Sequence, residues 1–106
     1  MGSRMVGLQI HQMFIQRESF QVYKSENGEW KLVELTPIEY KLLVYLVEAK
    51  DRVLSRENLK ERIWKKNPKV TDRSIDSHIC TLRKKIGFSA RYIRTLYGAG
   101  YILVSK

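Results

Sequence analysis

Partners for a disulfide and ligands for a structural metal are both missing from this chain of 106 residues. Its single cysteine, Cys80, has no second thiol, and Cys80, His11 and His78 fall short of the four Cys or His ligands that a structural zinc normally takes. Stability must therefore come from packing. No apolar run approaches the roughly 18 residues needed to cross a bilayer, and Met1-Gly2-Ser3-Arg4 lacks the apolar core of a signal peptide. Membrane insertion and secretion are disfavoured, and a cytoplasmic location with no membrane partner is expected. Gly2 sits in no myristoylation motif, because Val6 stands where Ser or Thr is needed; residues 1–4 read as a vector-derived scar before Met5. Also missing are a nucleophile with its base, paired carboxylates and a metal cluster, so no enzyme and no cofactor are expected.

Acidic residues are scarce in one half only. Residues 1–53 hold seven Lys or Arg against seven acids, whereas residues 54–106 hold thirteen against Glu57, Glu61, Asp72 and Asp76, so the whole net charge of +9 belongs to the second half. Either a polyanion partner binds there or the surface is simply basic and solvated. What is present argues for one compact domain: 43% of residues are hydrophobic and 29% charged, the balance of a globular protein of this length.

The first 35 residues alternate with period two, at Leu8 and Ile10, Met13 to Ile15, Phe20 and Val22, then Trp30 and Leu32. Asn27-Gly28 tolerates the positive φ angles of a type I′ turn and joins strands at Phe20–Lys24 and Trp30–Val33. This predicts a small antiparallel sheet, with Phe14, Phe20 and Trp30 as packing residues. At Thr36 the period changes. Thr36-Pro37-Ile38-Glu39 is a capping box with proline at the first helical position, and Leu42, Leu43, Leu46 and Val47 supply the stripe of a helix of about fourteen residues. Val53-Leu54 is then an extended link, and Ser55 caps a second helix with Leu59 and Ile63 inward, ending near Trp64. Lys65-Lys66-Asn67-Pro68-Lys69 breaks it. Thr71 caps a third helix in which Ile75, Ile79, Leu82 and Ile86 form one face, ending at Gly87.

Around that third helix the four apolar residues lie within about 60° of one another at 100° per residue. The far side holds Arg73, Ser74, Ser77, Thr81 and Lys84, with Cys80 and His78 at the margins and no acid. Short hydroxyl side chains let a helix sink into a DNA major groove, while flanking cations meet phosphates. Strands at Tyr92–Thr95 and Tyr101–Val104 enclose Leu96-Tyr97-Gly98-Ala99-Gly100. The order strand, glycine turn, helix of a dinucleotide or phosphate loop is absent, so this is a hairpin following a helix-turn-helix: a wing.

The spaced residues Leu35-Thr36, Glu39, Leu42-Leu43, Val53, Ser55-Arg56, Leu59, Trp64, Asp72 to Asp76, His78-Ile79, Leu82 to Ile86, Ile93, Thr95, Gly98 and Gly100-Tyr101 together resemble the DNA-binding effector domain of OmpR/PhoB-type response regulators. The resemblance runs from about Leu8 to Val104. It implies an α+β winged helix-turn-helix over residues 5–106: an N-terminal antiparallel sheet over 5–35, a three-helix core over 36–87 and a wing over 91–104. It further implies that Ser74, Ser77 and Thr81 approach base edges of double-stranded DNA. Trp64, Arg73, His78, Arg83, Thr95 and Tyr101 are implied to hold phosphates, joined by Lys84 from its position on the outward face, while Tyr97 reaches the minor groove. The link Lys65, Lys66, Asn67, Pro68, Lys69 is implied to contact RNA polymerase, and two copies to bind head to tail on direct repeats.

The pattern departs from well-understood members at Cys80, Thr81 and Tyr97, where arginine is common. Loss of arginine at Thr81 removes the bidentate guanine contact expected there, leaving a hydroxyl and a methyl. The family normally carries a receiver domain on the N-terminal side, absent from this chain, so an excised fragment is expected. The function that follows is sequence-selective duplex binding for transcription regulation. The rival is a winged helix that docks its basic face on an acidic protein partner.

Overall fold

The computed structural model describes residues 7–106, so the scar expected at residues 1–4 lies outside the described residues. Four strands open the chain: β1 (Leu8–Ile10), β2 (Met13–Gln16), β3 (Gln21–Glu26) and β4 (Glu29–Val33). They pair antiparallel in chain order, in the register Ile15↔Val22↔Val33 and Phe14↔Tyr23↔Leu32. Alternation sorts these rows by face: the Ile15 row is buried, while Leu32 stands exposed opposite it. The β3–β4 turn has φ of 53° at Asn27 and 80° at Gly28, the left-handed pair that a type I′ turn requires. Two aromatics depart from the packing expected of them. Trp30 is 44% exposed on the outer face and Phe20 is 74% exposed, because Phe20 lies in the turn before β3, at φ 54°, rather than in the strand.

Helix α1 (Pro37–Glu48) begins with both hydrogen bonds of the Thr36–Glu39 capping box. It has 12 residues rather than about fourteen, because Ala49 N–H returns to Tyr45 and Asp51 then turns left-handed at φ 66°. Helix α2 (Arg56–Trp64) is capped by Ser55 with Asn58 completing a box, and stops where Lys65 enters the left-handed region at φ 51°. Helix α3 (Asp72–Ile86) starts on the Thr71 hydroxyl, which accepts from Ser74 N–H, and ends at Gly87 with φ 67°. A 3₁₀ turn (Gly87–Tyr92) leads to β5 (Ile93–Leu96) and β6 (Gly100–Leu103), the hairpin.

Leu42, Leu43 and Leu46 of α1, Leu59 of α2 and the α3 row Ile75, Ile79, Leu82 and Ile86 are buried together with Met13, Ile15, Val22 and Leu103 in one core. Burying one leucine or isoleucine is worth about 1.5–3 kcal/mol, so this shared core is what fixes α3 with its polar side outward. The Val53–Leu54 link does more than connect: Leu54 and Tyr101 exchange backbone hydrogen bonds of 2.8 and 2.9 Å, a one-residue antiparallel bridge onto the edge of the hairpin. That approach explains Gly100. At φ 137°, a Cβ there would lie 2.0 Å from the Leu54 carbonyl oxygen. The second glycine of the Gly-x-Gly pattern serves this contact between backbones, while Gly98 has open space around it.

Candidate nucleic-acid interface

With its apolar row committed to the core, α3 turns Arg73, Ser77, Cys80, Thr81 and Lys84 to solvent, with Ser74 half-buried at its first turn. Ser77 and Thr81 lie one turn apart, and the Thr81 hydroxyl donates to the Ser77 carbonyl at 3.0 Å. Its proton is thus spent on the helix, leaving an outward methyl and acceptor lone pairs. The two acids of α3 are both answered from α2: Lys60 meets Asp72 at 2.9 Å, and Arg56 grips Asp76 with Nε and Nη2 at 2.9 and 3.1 Å. Hydrogen bonding to Lys60 holds the Asp72 carboxyl below its ordinary value, and Asp76 in the same way raises Arg56. The outward surface therefore carries cations without uncompensated acid.

Not every cation of α3 faces outward. Arg83 donates through Nε and Nη2 to the Ile93 carbonyl at 3.1 and 2.9 Å, and Nη2 also reaches the Thr95 hydroxyl at 2.8 Å. Lys85 reaches back to Glu39 at 2.7 Å. Glu39 is almost wholly buried; burial disfavours its charge, yet Lys85 and the Thr36 N–H outweigh that and hold its carboxyl below the ordinary value.

Tyr101, expected at a phosphate, is engaged within the protein. It is only 3% exposed, and its hydroxyl donates to Asp76. The guanidinium carbons of Arg56 and Arg83 lie 5.5 and 5.6 Å from its ring centre, so two cations pack against the ring. Burial, then the bond to Asp76, pushes the Tyr101 hydroxyl from 10.0 up to about 12. Arg83, also expected at a phosphate, braces β5 with its guanidinium, and Thr95 serves as its acceptor. These residues clamp the wing to α3. Arg56 and Asp76, whose roles the sequence reading missed, are part of that clamp. Their only signal was an unpaired acid on a basic helix, because Arg56 lies 20 residues away.

The remaining expected residues gather at the edges. Trp64 and His78 are half-buried and pack against each other with ring centres 5.6 Å apart, joining the end of α2 to the margin of α3. Tyr97 is 96% exposed at the hairpin tip, set by Gly98 at φ 80°. Arg94 on β5 is a further exposed cation that the sequence reading passed over, although strand alternation turns it away from buried Ile93. Lys65, Lys66, Asn67, Pro68 and Lys69 are all exposed, in a loop closed by Asn67 N–H on Trp64 and by Lys69 N–H on the Asn67 side chain. Among the described residues no three His, Cys, Asp or Glu side chains gather as a metal site, and no helix is long and apolar enough to cross a membrane.

Comparison with known proteins matches this geometry. The model of a family described as "Transcriptional regulatory protein, C terminal" matches residues 30–103. The transcriptional regulatory protein QseB of Haemophilus influenzae is 33% identical over 96 residues, covering 88% of this chain and 42% of its own length. The phosphate regulon regulator PhoB of Rhizobium meliloti is 37% identical over 93 residues, covering 86% of this chain and 39% of its own. The chain thus spans about two fifths of these relatives. Among solved structures, the response regulator AdeR DNA-binding domain, in complex with an intercistronic region, superposes with a TM-score of 0.78 at 28% identity, covering 91% of this chain and 97% of that one.

Proposed function

The chain belongs to the C-terminal, winged-helix effector domains of OmpR/PhoB-type transcriptional regulators, and from that membership we propose that it binds duplex DNA sequence-selectively, in the cytoplasm, to regulate transcription. The observation that carries the reading is the outward face of α3, short and polar between exposed Arg73 and Lys84, with both acids of that helix neutralised from α2. Such a face suits the major groove, where Ser74, Ser77 and Thr81 meet base edges and the flanking cations meet phosphates. Trp64, His78 and Thr95 border the phosphate track, and Tyr97 enters the minor groove from the wing tip. Arg83 and Tyr101 act one step back, by holding the wing at its angle to α3. Thr81 offers a methyl and acceptor lone pairs, which favours contact with a thymine methyl and weak discrimination at that base pair. Two copies bind head to tail on direct repeats about one helical turn apart, leaving the loop Lys65–Lys69 free for RNA polymerase.

A salt titration on a cognate and a scrambled duplex tests the assignment. Arg73→Ala should weaken both and lower the slope of log affinity against log salt by about one. Thr81→Ala should keep the slope and relax one base pair. Equal losses from Thr81→Ala on both duplexes would reverse the helix faces, and joint occupancy that survives a shift of about five base pairs between half-sites would remove the tandem arrangement.

A further inference from the structure

The outer side of α1, which shares no residue with the α3 face, carries a second cationic surface of different shape. Three adjoining depressions run along this helix. The first, between α1 and the end of α2, has a volume of about 220 Å³ and is lined by Arg17, Lys41, Tyr45, Glu48, Arg62 and Lys65, among others. Through Tyr40 and Lys41 it continues into one beside Phe20, Leu35 and Pro37, and through Arg17, Val44 and Glu48 into one bounded by Lys50. Its floor is apolar and aromatic: Phe20 meets Tyr40 edge-on at 5.5 Å, and the Arg62 guanidinium lies 4.7 Å from the Tyr45 ring centre. Its rim is basic. Glu48, the lone acid of the first depression, is held from both sides by Arg17 at 2.5 Å and Arg62 at 3.1 Å, so Lys41, Lys65 and one arginine's worth of charge stay uncompensated.

Phe20 adds an independent observation. A bulky residue in the left-handed region at φ 54° is an outlier, and such backbone persists where the surroundings impose it and clusters at binding sites. The conformation leaves the ring 74% exposed at the mouth of the groove.

We propose that this groove binds an acidic amphipathic helix of a partner protein, its apolar residues on the Tyr40–Val44–Tyr45 floor and its carboxylates on Arg17, Lys41, Arg62 and Lys65. Charge complementarity selects the acidic partner, and the aliphatic lining of Leu35, Pro37, Val44 and Ile63, with the Tyr45 ring already covered by Arg62, suits the leucines of a peptide rather than stacked bases. A duplex presents phosphates on a convex surface and is read by protruding elements such as α3 and the wing, whereas this surface is concave and its aromatics lie beneath the cations. Helix α1 is 12 residues long, about 18 Å at 1.5 Å per residue, which accommodates three turns of a partner helix.

The test is a titration of the chain with a fluorescein-labelled helical peptide carrying leucines at i, i+3, i+4 and i+7 among glutamates, against a peptide of the same composition with the leucines scattered. The ordered peptide should bind more tightly. Arg17→Glu with Arg62→Glu should weaken it about tenfold, whereas Arg52→Glu with Lys106→Glu, the same charge change outside the groove, should not. The two double variants should bind cognate duplex alike. Circular dichroism verifies folding, and Arg62→Gln gives a milder variant expected to weaken the peptide in the same direction. Equal binding of the two peptides, equal peptide loss in the two double variants, or displacement of the ordered peptide by random duplex would overturn the proposal.

Discussion

Tyr101→Phe distinguishes a clamp from a phosphate contact, because it removes only the hydroxyl. The residue is 3% exposed and its ring keeps its packing against Arg56 and Arg83, so no cavity forms. What is lost is one hydrogen bond to an ionised carboxylate. Such bonds are worth about 1.5–3 kcal/mol, and the lower end applies because Asp76 is 43% exposed and keeps its two donors from Arg56. A loss of about 1.5 kcal/mol should lower Tm by about 6–12 °C in a domain of this size. Duplex affinity, measured by anisotropy well below both midpoints, should stay within about twofold of the parent if the hydroxyl serves only the bond to Asp76. A hydroxyl that did hold a phosphate would instead cost about tenfold or more in affinity. An unchanged urea midpoint together with such an affinity loss would refute the clamp.

The same variant carries a pH signature whose sign follows from the direction of the shift. The folded hydroxyl titrates at about 12 against an ordinary 10.0, so folding favours its protonated form. That contribution is fully present below about pH 10 and is lost as pH rises towards 12. The stability gap between parent and Tyr101→Phe should accordingly be constant through neutral pH and narrow above about pH 10.

Three further perturbations probe the scaffold. Gly100→Ala places a methyl against the Leu54 carbonyl and should cost about 3 kcal/mol or more, while Gly98→Ala, at φ 80° with open space around it, should cost only about 1–2 in a parallel urea series. Thr36→Ala should cost about 1 kcal/mol through the lost cap on α1, with duplex affinity of the folded protein unchanged. Lys85→Met strips the counterion from the carboxylate of Glu39, whose side chain is 3% exposed, and should cost about 2 kcal/mol at pH 7, below the buried-pair range because the Lys85 side chain is 34% exposed. In the parent, the depressed Glu39 carboxyl contributes stability above its ordinary 4.5 that is lost as pH falls through its folded value. Without Lys85 burial dominates and favours the protonated form, so the gap between the two proteins should close on acidification.

What could be read ahead of the structure was what is local. Thr36 with Glu39, Ser55, Thr71 and Gly87 end their helices through groups within a few residues, and the Ile75–Ile86 row declares its period within fifteen residues. Positions whose role depends on distant partners read differently. Glu39 had the signature of a cap and is also the buried partner of Lys85, 46 residues away. Tyr101 matched a family position, but only the fold brings Asp76, 25 residues distant, to its hydroxyl. Phe20 continued an alternating pattern, yet the turn at Arg17–Phe20, closed by a 3.3 Å bond from Phe20 N–H to the Arg17 carbonyl, takes it out of the strand and leaves it exposed. Periodicity describes an element's faces; it carries no information on where one element stops and a left-handed residue begins.

Charge shows the same division at the level of mechanism. The net charge of +9 lies wholly in the second half of the chain, but cations there perform three kinds of work. Arg56 and Lys60 neutralise the acids of α3, so that the helix can approach a polyanion without repelling it. Arg83 and Lys85 are turned inward, to β5 and to Glu39, and set the angle of the wing and the seat of α3. Arg73 and Lys84 are left on the outward face of that helix. Salt dependence counts cations that meet phosphates, at a slope of about 0.9 per contact. On the proposed reading, the contribution of α3 to that slope comes from two residues rather than from its four Lys and Arg with the neighbouring Arg56 and Lys60. On the same reading, the inward cations act on affinity by holding the outward surface of α3 in shape.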